Sequence, residues 1–216
     1  MASIDLPRQN ALFLHVPKTA GFSITSALTE QVQDATAFPV RNERGRRGAA
    51  AYIASRLGPD ILARRWSFCF LRNPWDWTVS GWLYVTRNRP AYGDTPPAFA
   101  DFLRGAWKDG LKDNPHKRKF KSARGYVAYH TQITQGRHLA IGLRGRPAPL
   151  AFHARFERLQ DDWARICDRL GQDIALPHKN RSDRTDYTAY YDDETRALVA
   201  RRNAGLIDRF GYRFGG

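Results

Sequence analysis

The sequence predicts an α/β protein, a single domain built on a central parallel sheet with helices against it, and three observations carry that prediction. Two stretches, Ala11–Ile24 and Trp66–Tyr84, each lead a short apolar run through a tight turn into a helix start. Continuous apolar runs of this length suit parallel strands buried on both faces. Farther on, Leu159, Trp163, Ile166 and Leu170 recur at spacings of 4, 3 and 4 before Gly171, the stripe of an amphipathic helix. The chain has 216 residues and neither an internal repeat nor a low-complexity linker, which fits one domain spanning 1–216.

Taken in order, residues 1–10 read as an N-terminal extension without the apolar segment of a signal peptide. The first strand is Ala11–Val16, and a helix follows from Phe22 to about Gln33, with Phe22, Ala27, Leu28 and Val32 at near-helical spacing. A loop over 34–48 accommodates a short strand, then Ala49–Leu57 is a helix stopped by Gly58 and Pro59, with a second short helix over 60–64. Trp66–Leu71 is the second strand, and Asn73, Pro74 and Asp76 are an N-cap, a first helical residue and an early carboxylate. Residues 87–125 form an irregular basic insertion, with one helix over 96–107 and a basic loop carrying Lys117, Arg118, Lys119 and Lys121. A helix over 126–135, strands at 139–141 and 150–156 on either side of a Gly/Arg/Pro turn, a polar loop over 175–186 and a last helix from Asp192 or Asp193 to about Phe210 complete the chain.

Composition narrows the partners. A formal charge of +14 points to an anionic one: a nucleotide, nucleic acid, acidic glycan or membrane surface. Solvated arginines without a ligand would give the same excess. No apolar run approaches the roughly 20 residues of a membrane span. Cys69 and Cys167, the two cysteines, read as free thiols of a reducing compartment. The sequence carries no CxxC, HExxH or EF-hand pattern, so no metal requirement is expected.

The chemistry lies at the two strand–turn–helix units. Pro17, Lys18, Thr19, Ala20 and Gly21 lead into a helix N-terminus, where N–H groups and the helix dipole favour an anion and Lys18 adds a full charge. The Walker pattern GxxxxGK(S/T) fails, because Lys18 precedes Gly21. Where such an enzyme holds its metal with a carboxylate at another strand's end, this chain places Arg72. Cations at both turns suggest metal-free transfer of a group less charged than phosphoryl. A nucleotide kinase-like protein and a nucleic-acid-binding module remain the competing classes.

Pro17–Ser23 resembles the 5′-phosphosulfate loop of PAPS-dependent sulfotransferases, in the carbohydrate-modifying branch related to heparan sulfate 2-O-sulfotransferase. Arg72–Ser80 resembles that family's RNPxxRxxSxY signature, with Trp77 where Arg is usual and Trp82-Leu-Tyr84 displaced. Weaker matches are Arg155–Asp161, Leu176–Ser182, Tyr190–Asp192 and Phe210–Phe214, all in family order. The resemblance implies a three-layer, P-loop-like fold and sulfuryl transfer from PAPS to an acceptor hydroxyl, on a carbohydrate before a phenol. The product would be adenosine 3′,5′-bisphosphate. It makes Lys18 the cation on the bridging oxygen and 5′-phosphate, with Pro17, Thr19, Ala20, Gly21, Phe22 and Ser23 around it and Arg72 and Ser80 on the 3′-phosphate. Arg47 aligns where relatives carry a histidine base, so Glu43 and His130 are the candidate proton acceptors. His15, Trp75, Trp77 and Trp82 read first as packing residues, and the basic loop as solvated or acceptor-binding. With ten residues ahead of the first predicted strand and no span, a cytoplasmic enzyme is expected; a PAPS-binding protein without transferase activity is the variant reading.

Overall fold

The computed structural model describes residues 2–39, 48–88, 90–115, 120–141, 146–177 and 185–216. In chain order the first half contains β1 (Ala2–Leu6), β2 (Ala11–Leu14), α1 (Gly21–Gln31), β3 (Thr36–Pro39), α2 (Ala49–Leu57), α3 (Ile61–Arg64), β4 (Trp66–Leu71), α4 (Pro74–Leu83) and α5 (Phe99–Arg104). The second half contains α6 (Ala123–Thr131), α7 (Gln135–His138), β5 (Ala140–Ile141), β6 (Arg146–Pro147), β7 (Phe152–Arg155), α8 (Leu159–Leu170), α9 (Asp193–Arg202) and α10 (Ala204–Phe210). The described residues divide between two compact units, one drawn from 2–39, 48–72 and 137–177, the other from 73–136 and 185–216.

The first unit holds a five-stranded sheet in the order β3-β1-β2-β4-β7. The sheet is mixed, which corrects the all-parallel expectation. β2, β4 and β7 run parallel, while β1 pairs antiparallel with both β2 and β3. The extra strands come from the chain's first residues, where an extension was expected. Ala2, Ile4 and Leu6 face the core, while Ser3 and Asp5 alternate onto the other face. A turn closes the β1–β2 hairpin, with the Asn10 amide donating to Pro7 O at 3.1 Å and Asn10 at φ 49°. The polar pair does not disrupt burial because each has a partner: Ser3 Oγ accepts from the His15 amide at 3.1 Å, and Asp5 meets Arg65 at 3.3 Å.

One face of the sheet presents Ile4, Phe13, Phe68, Phe70 and Ala154 to α1 and α8. The predicted stripe of α8 fits this role, since Trp163, Ile166 and Leu170 are buried and Gly171, at φ 64°, ends the helix. α3 lies on the opposite face, where Ser67 donates to Leu62 O at 2.9 Å. The strand expected at 139–141 pairs only with β6, as a small antiparallel ribbon outside the main sheet.

The second unit is helical around α4, nearly all of whose side chains are buried. Asn73 caps it as the sequence predicts, its Oδ1 accepting from the Trp75 amide at 3.1 Å. Its Nδ2 donates to Tyr187 Oη, Arg213 O and Gly216 O. Gly81 is needed for close approach, because a Cβ there would stand 2.6 Å from His130 O on α6. The expected last helix is two, α9 and α10, which part at Asn203. Among the described residues, no helix is long and apolar enough to cross a membrane.

Candidate functional site

The site is built at the carboxyl ends of two neighbouring parallel strands, with Leu14 of β2 in register with Cys69 of β4. From β2 the chain leaves through α1 to β3 on one side of the sheet, whereas β7, the next strand to join after β4, lies on the other. The order therefore reverses between β2 and β4, the position where open α/β sheets place ligands. Lys18 and Arg72 follow these two strands, within the same unit.

The loop after β2 is held in an uncommon backbone shape. Lys18 has φ 67° and Ala20 φ 60°, with Thr19 between them outside the left-handed region. Left-handed geometry is disfavoured for residues with a Cβ and costs on the order of 1 kcal/mol or more at each. Alternating backbone signs turn successive N–H groups toward one concavity, the nest geometry that accepts anions. Thr19 locks the loop from inside: its hydroxyl is fully buried and donates to Val16 O at 2.9 Å. Its side chain thus supports the loop, leaving its backbone N–H as the group it can offer an anion.

α1 starts at Gly21 with neither a side-chain cap nor an acidic residue in its first turn. N–H groups of that turn have no acceptor within the helix, and the positive end of the helix dipole adds to them. Gly21 is required for close approach. Its φ is not positive, yet a Cβ would overlap the ring of His15. His15 is 1% exposed and forms the floor beneath this turn. Phe22, by contrast, is 50% exposed, the large apolar side chain most open to solvent among the described residues.

Arg72 reaches back to the same loop. Its Nη1 donates to the Lys18 carbonyl at 3.1 Å, and its guanidinium lies 4.1 Å from the centre of the Phe156 ring. Arg72 is 6% exposed and Lys18 half-buried. The two residues singled out in the sequence are thereby brought together, through the Lys18 backbone. Pro17, Thr19, Gly21 and Ser23 are buried around them, and Ala20 is half-buried.

Ser80 is half-buried on α4 in the second unit. His130 belongs to that unit too, 2% exposed, with ring centroids of Tyr84, Phe120, Tyr126 and Tyr129 within 4.8–6.0 Å. That is the setting of a packed histidine rather than a solvent-facing one. Glu43, Arg47 and, in the basic loop, Lys117, Arg118 and Lys119 lie outside the described residues, as does the segment from His178 to Ser182. Trp75, Trp77 and Trp82 are all buried, and Trp82 packs edge-on to Phe99 and Tyr190. Phe156 was not singled out by the sequence; its signal was its place in the weak Arg155–Asp161 match. Among the described residues no group of three or more His, Cys, Asp or Glu is placed to hold a metal ion.

No family model and no curated protein matches this chain. Among solved structures it is similar to the crystal structure of a sulfotransferase from Alicyclobacillus acidocaldarius, at 17% identity and a TM-score of 0.39, over 77% of this chain and 61% of that one. The chain thus spans less than two thirds of the length of that structure.

Proposed function

We propose that the protein is a sulfotransferase that moves a sulfuryl group from PAPS to an acceptor hydroxyl, a carbohydrate hydroxyl by resemblance, and releases adenosine 3′,5′-bisphosphate. The observation that supports this reading best is the meeting of Lys18 and Arg72 at one strained, uncapped loop, joined by the 3.1 Å hydrogen bond. A donor set of backbone N–H groups and cations, without an acidic residue in the first turn of α1, fits a phosphosulfate.

In the transfer, the acceptor oxygen bonds to sulfur as the bond from sulfur to the bridging phosphate oxygen breaks, and the acceptor's proton leaves to a base. Negative charge grows on the bridging oxygen. Lys18 and the first-turn N–H groups of α1 stabilise that charge where it develops, so their contribution is larger in the transition state than in the ground state. Arg72 takes a donor phosphate and holds the loop. The part implied for Ser80 rests on the resemblance alone. Glu43 is favoured over His130 as the proton acceptor, because four rings enclose the His130 imidazole.

The test is transfer of labelled sulfate from PAPS to a panel of glycan and phenol acceptors. Lys18→Ala should lower turnover by about 100-fold, the size of losing one charge-stabilising donor, with a smaller change in the donor's KM. Arg72→Ala should mainly raise that KM. Donor binding with no transfer to any acceptor would support the non-transferring variant, and a dependence on ATP in place of PAPS would refute the proposal.

A further inference from the structure

Phe156 has no part in the chemistry above, yet it sits where it can govern the loop. It opens the short turn Phe156–Arg158 after β7. That turn is anchored: Asp162, 1% exposed, accepts from the Arg155 amide at 2.7 Å. The Phe156 ring faces the Arg72 guanidinium at 4.1 Å, and the same guanidinium holds the Lys18 carbonyl at 3.1 Å. A trans peptide is planar, so its C=O and the following N–H point in opposite directions. Fixing the Lys18 carbonyl therefore also fixes the direction of the Thr19 N–H. It does so at a residue whose left-handed backbone would otherwise relax.

We infer that Phe156 is a positioning residue of the anion loop, acting through Arg72 to hold the Lys18–Thr19 peptide in its binding orientation. This rests on the donor reading for what the loop binds. The chemistry requires a flat ring beneath a flat cation: a guanidinium stacks and donates at once, which a lysine ammonium or an aliphatic platform does not reproduce. The link is confined to residues of one compact unit.

A mutant cycle tests it. The variants are Phe156→Leu, Phe156→Tyr, Arg72→Ala and the Phe156→Leu/Arg72→Ala double, each read in two ways. The first readout is the amide chemical shifts and order parameters of Thr19, Ala20 and Gly21 in the ligand-free protein. The second is the Kd of adenosine 3′,5′-bisphosphate. Phe156→Leu should weaken binding about tenfold, between the exposed and the desolvated size of a cation–π contact, and should shift and loosen the loop amides. Phe156→Tyr should stay within about twofold of the native protein, because it keeps the ring face. With Arg72 already removed, Phe156→Leu should change Kd by less than about twofold and leave the amides as Arg72→Ala set them. Equal effects of Phe156→Leu in both backgrounds, or amides it does not move, would overturn the inference. If Phe156→Leu lowers the thermal midpoint strongly, Phe156→Met takes its place in the cycle. Should the native protein fail to bind the bisphosphate, the donor reading falls and the amide readout alone decides the role of Phe156.

Discussion

Gly21→Ala reverses the expectation that helix propensity alone would give. The glycine is the first residue of α1 and its φ is not positive, so alanine should gain up to about 1 kcal/mol from propensity and backbone entropy. The packing opposes this. The new methyl would overlap the His15 ring, and that ring has little room to move away. His15 is 1% exposed, its amide is tied to Ser3 Oγ at 3.1 Å, and the Phe13 ring stands edge-on at 6.4 Å. Overpacking of this kind costs about 1–3 kcal/mol, and overlap with a ring held this closely falls in the upper part of that range, so after the gain is subtracted the net effect should be a loss of about 1–2 kcal/mol. For a chain of this size that lowers the thermal midpoint by roughly 2–8 °C. The assay is urea unfolding of Gly21→Ala, His15→Ala and the double variant, followed by fluorescence. Removing the ring makes room for the methyl, so the double variant should lose less than the sum of the singles, by about 1 kcal/mol. A neutral or stabilising Gly21→Ala, or strict additivity, would refute the claim that His15 is the floor of the loop.

The helical unit around α4 gives two further expectations. Asn73→Ala removes both the cap on the Trp75 amide and the Nδ2 donor to Tyr187, Arg213 and Gly216, so urea unfolding should show a loss of about 2–3 kcal/mol. In alkali, burial raises the Tyr129 and Tyr92 phenols above the ordinary value of 10.0, the Asp109 charge adding to the effect at Tyr92. The folded state keeps these protons while the unfolded chain releases them, so this stability is present below pH 10 and is lost as pH rises toward the folded-state values. Unfolding midpoints measured across that range should fall for the native protein and fall less for Tyr129→Phe.

Much of this was legible in the residues because local chemistry determined it. The α8 stripe, the Asn73 cap and the helix start after Gly21 all rest on interactions within a few positions in sequence, and all are present. β1 is not legible in the sequence although it alternates with period two, because five residues carry too little signal without the partner strands that bury them. The sheet's mixed direction follows from that strand, since a tight hairpin can only join antiparallel neighbours. At the site, Lys18 and Arg72 stood out by type and position. Two turns with a cation each already pointed to one crevice, but not to the hydrogen bond that joins them; nor did the left-handed backbone at Lys18 and Ala20 show, because neither residue is the glycine that usually marks such a turn. Phe156 was hidden for another reason: an aromatic residue after a strand is ordinary until the cation over it is known. His130 shows the converse, a titratable residue conspicuous in sequence and enclosed by rings in space.

Under the proposed function, the loop of Lys18 and Arg72 binds a nucleotide carrying phosphates at both the 3′ and 5′ positions. Parallel calorimetric titrations of adenosine 3′,5′-bisphosphate and ATP, without added metal, test it most directly. The bisphosphate should bind at least about tenfold more tightly than ATP, and Arg72→Ala should remove most of this preference. Tight ATP binding with no measurable affinity for the bisphosphate would contradict it.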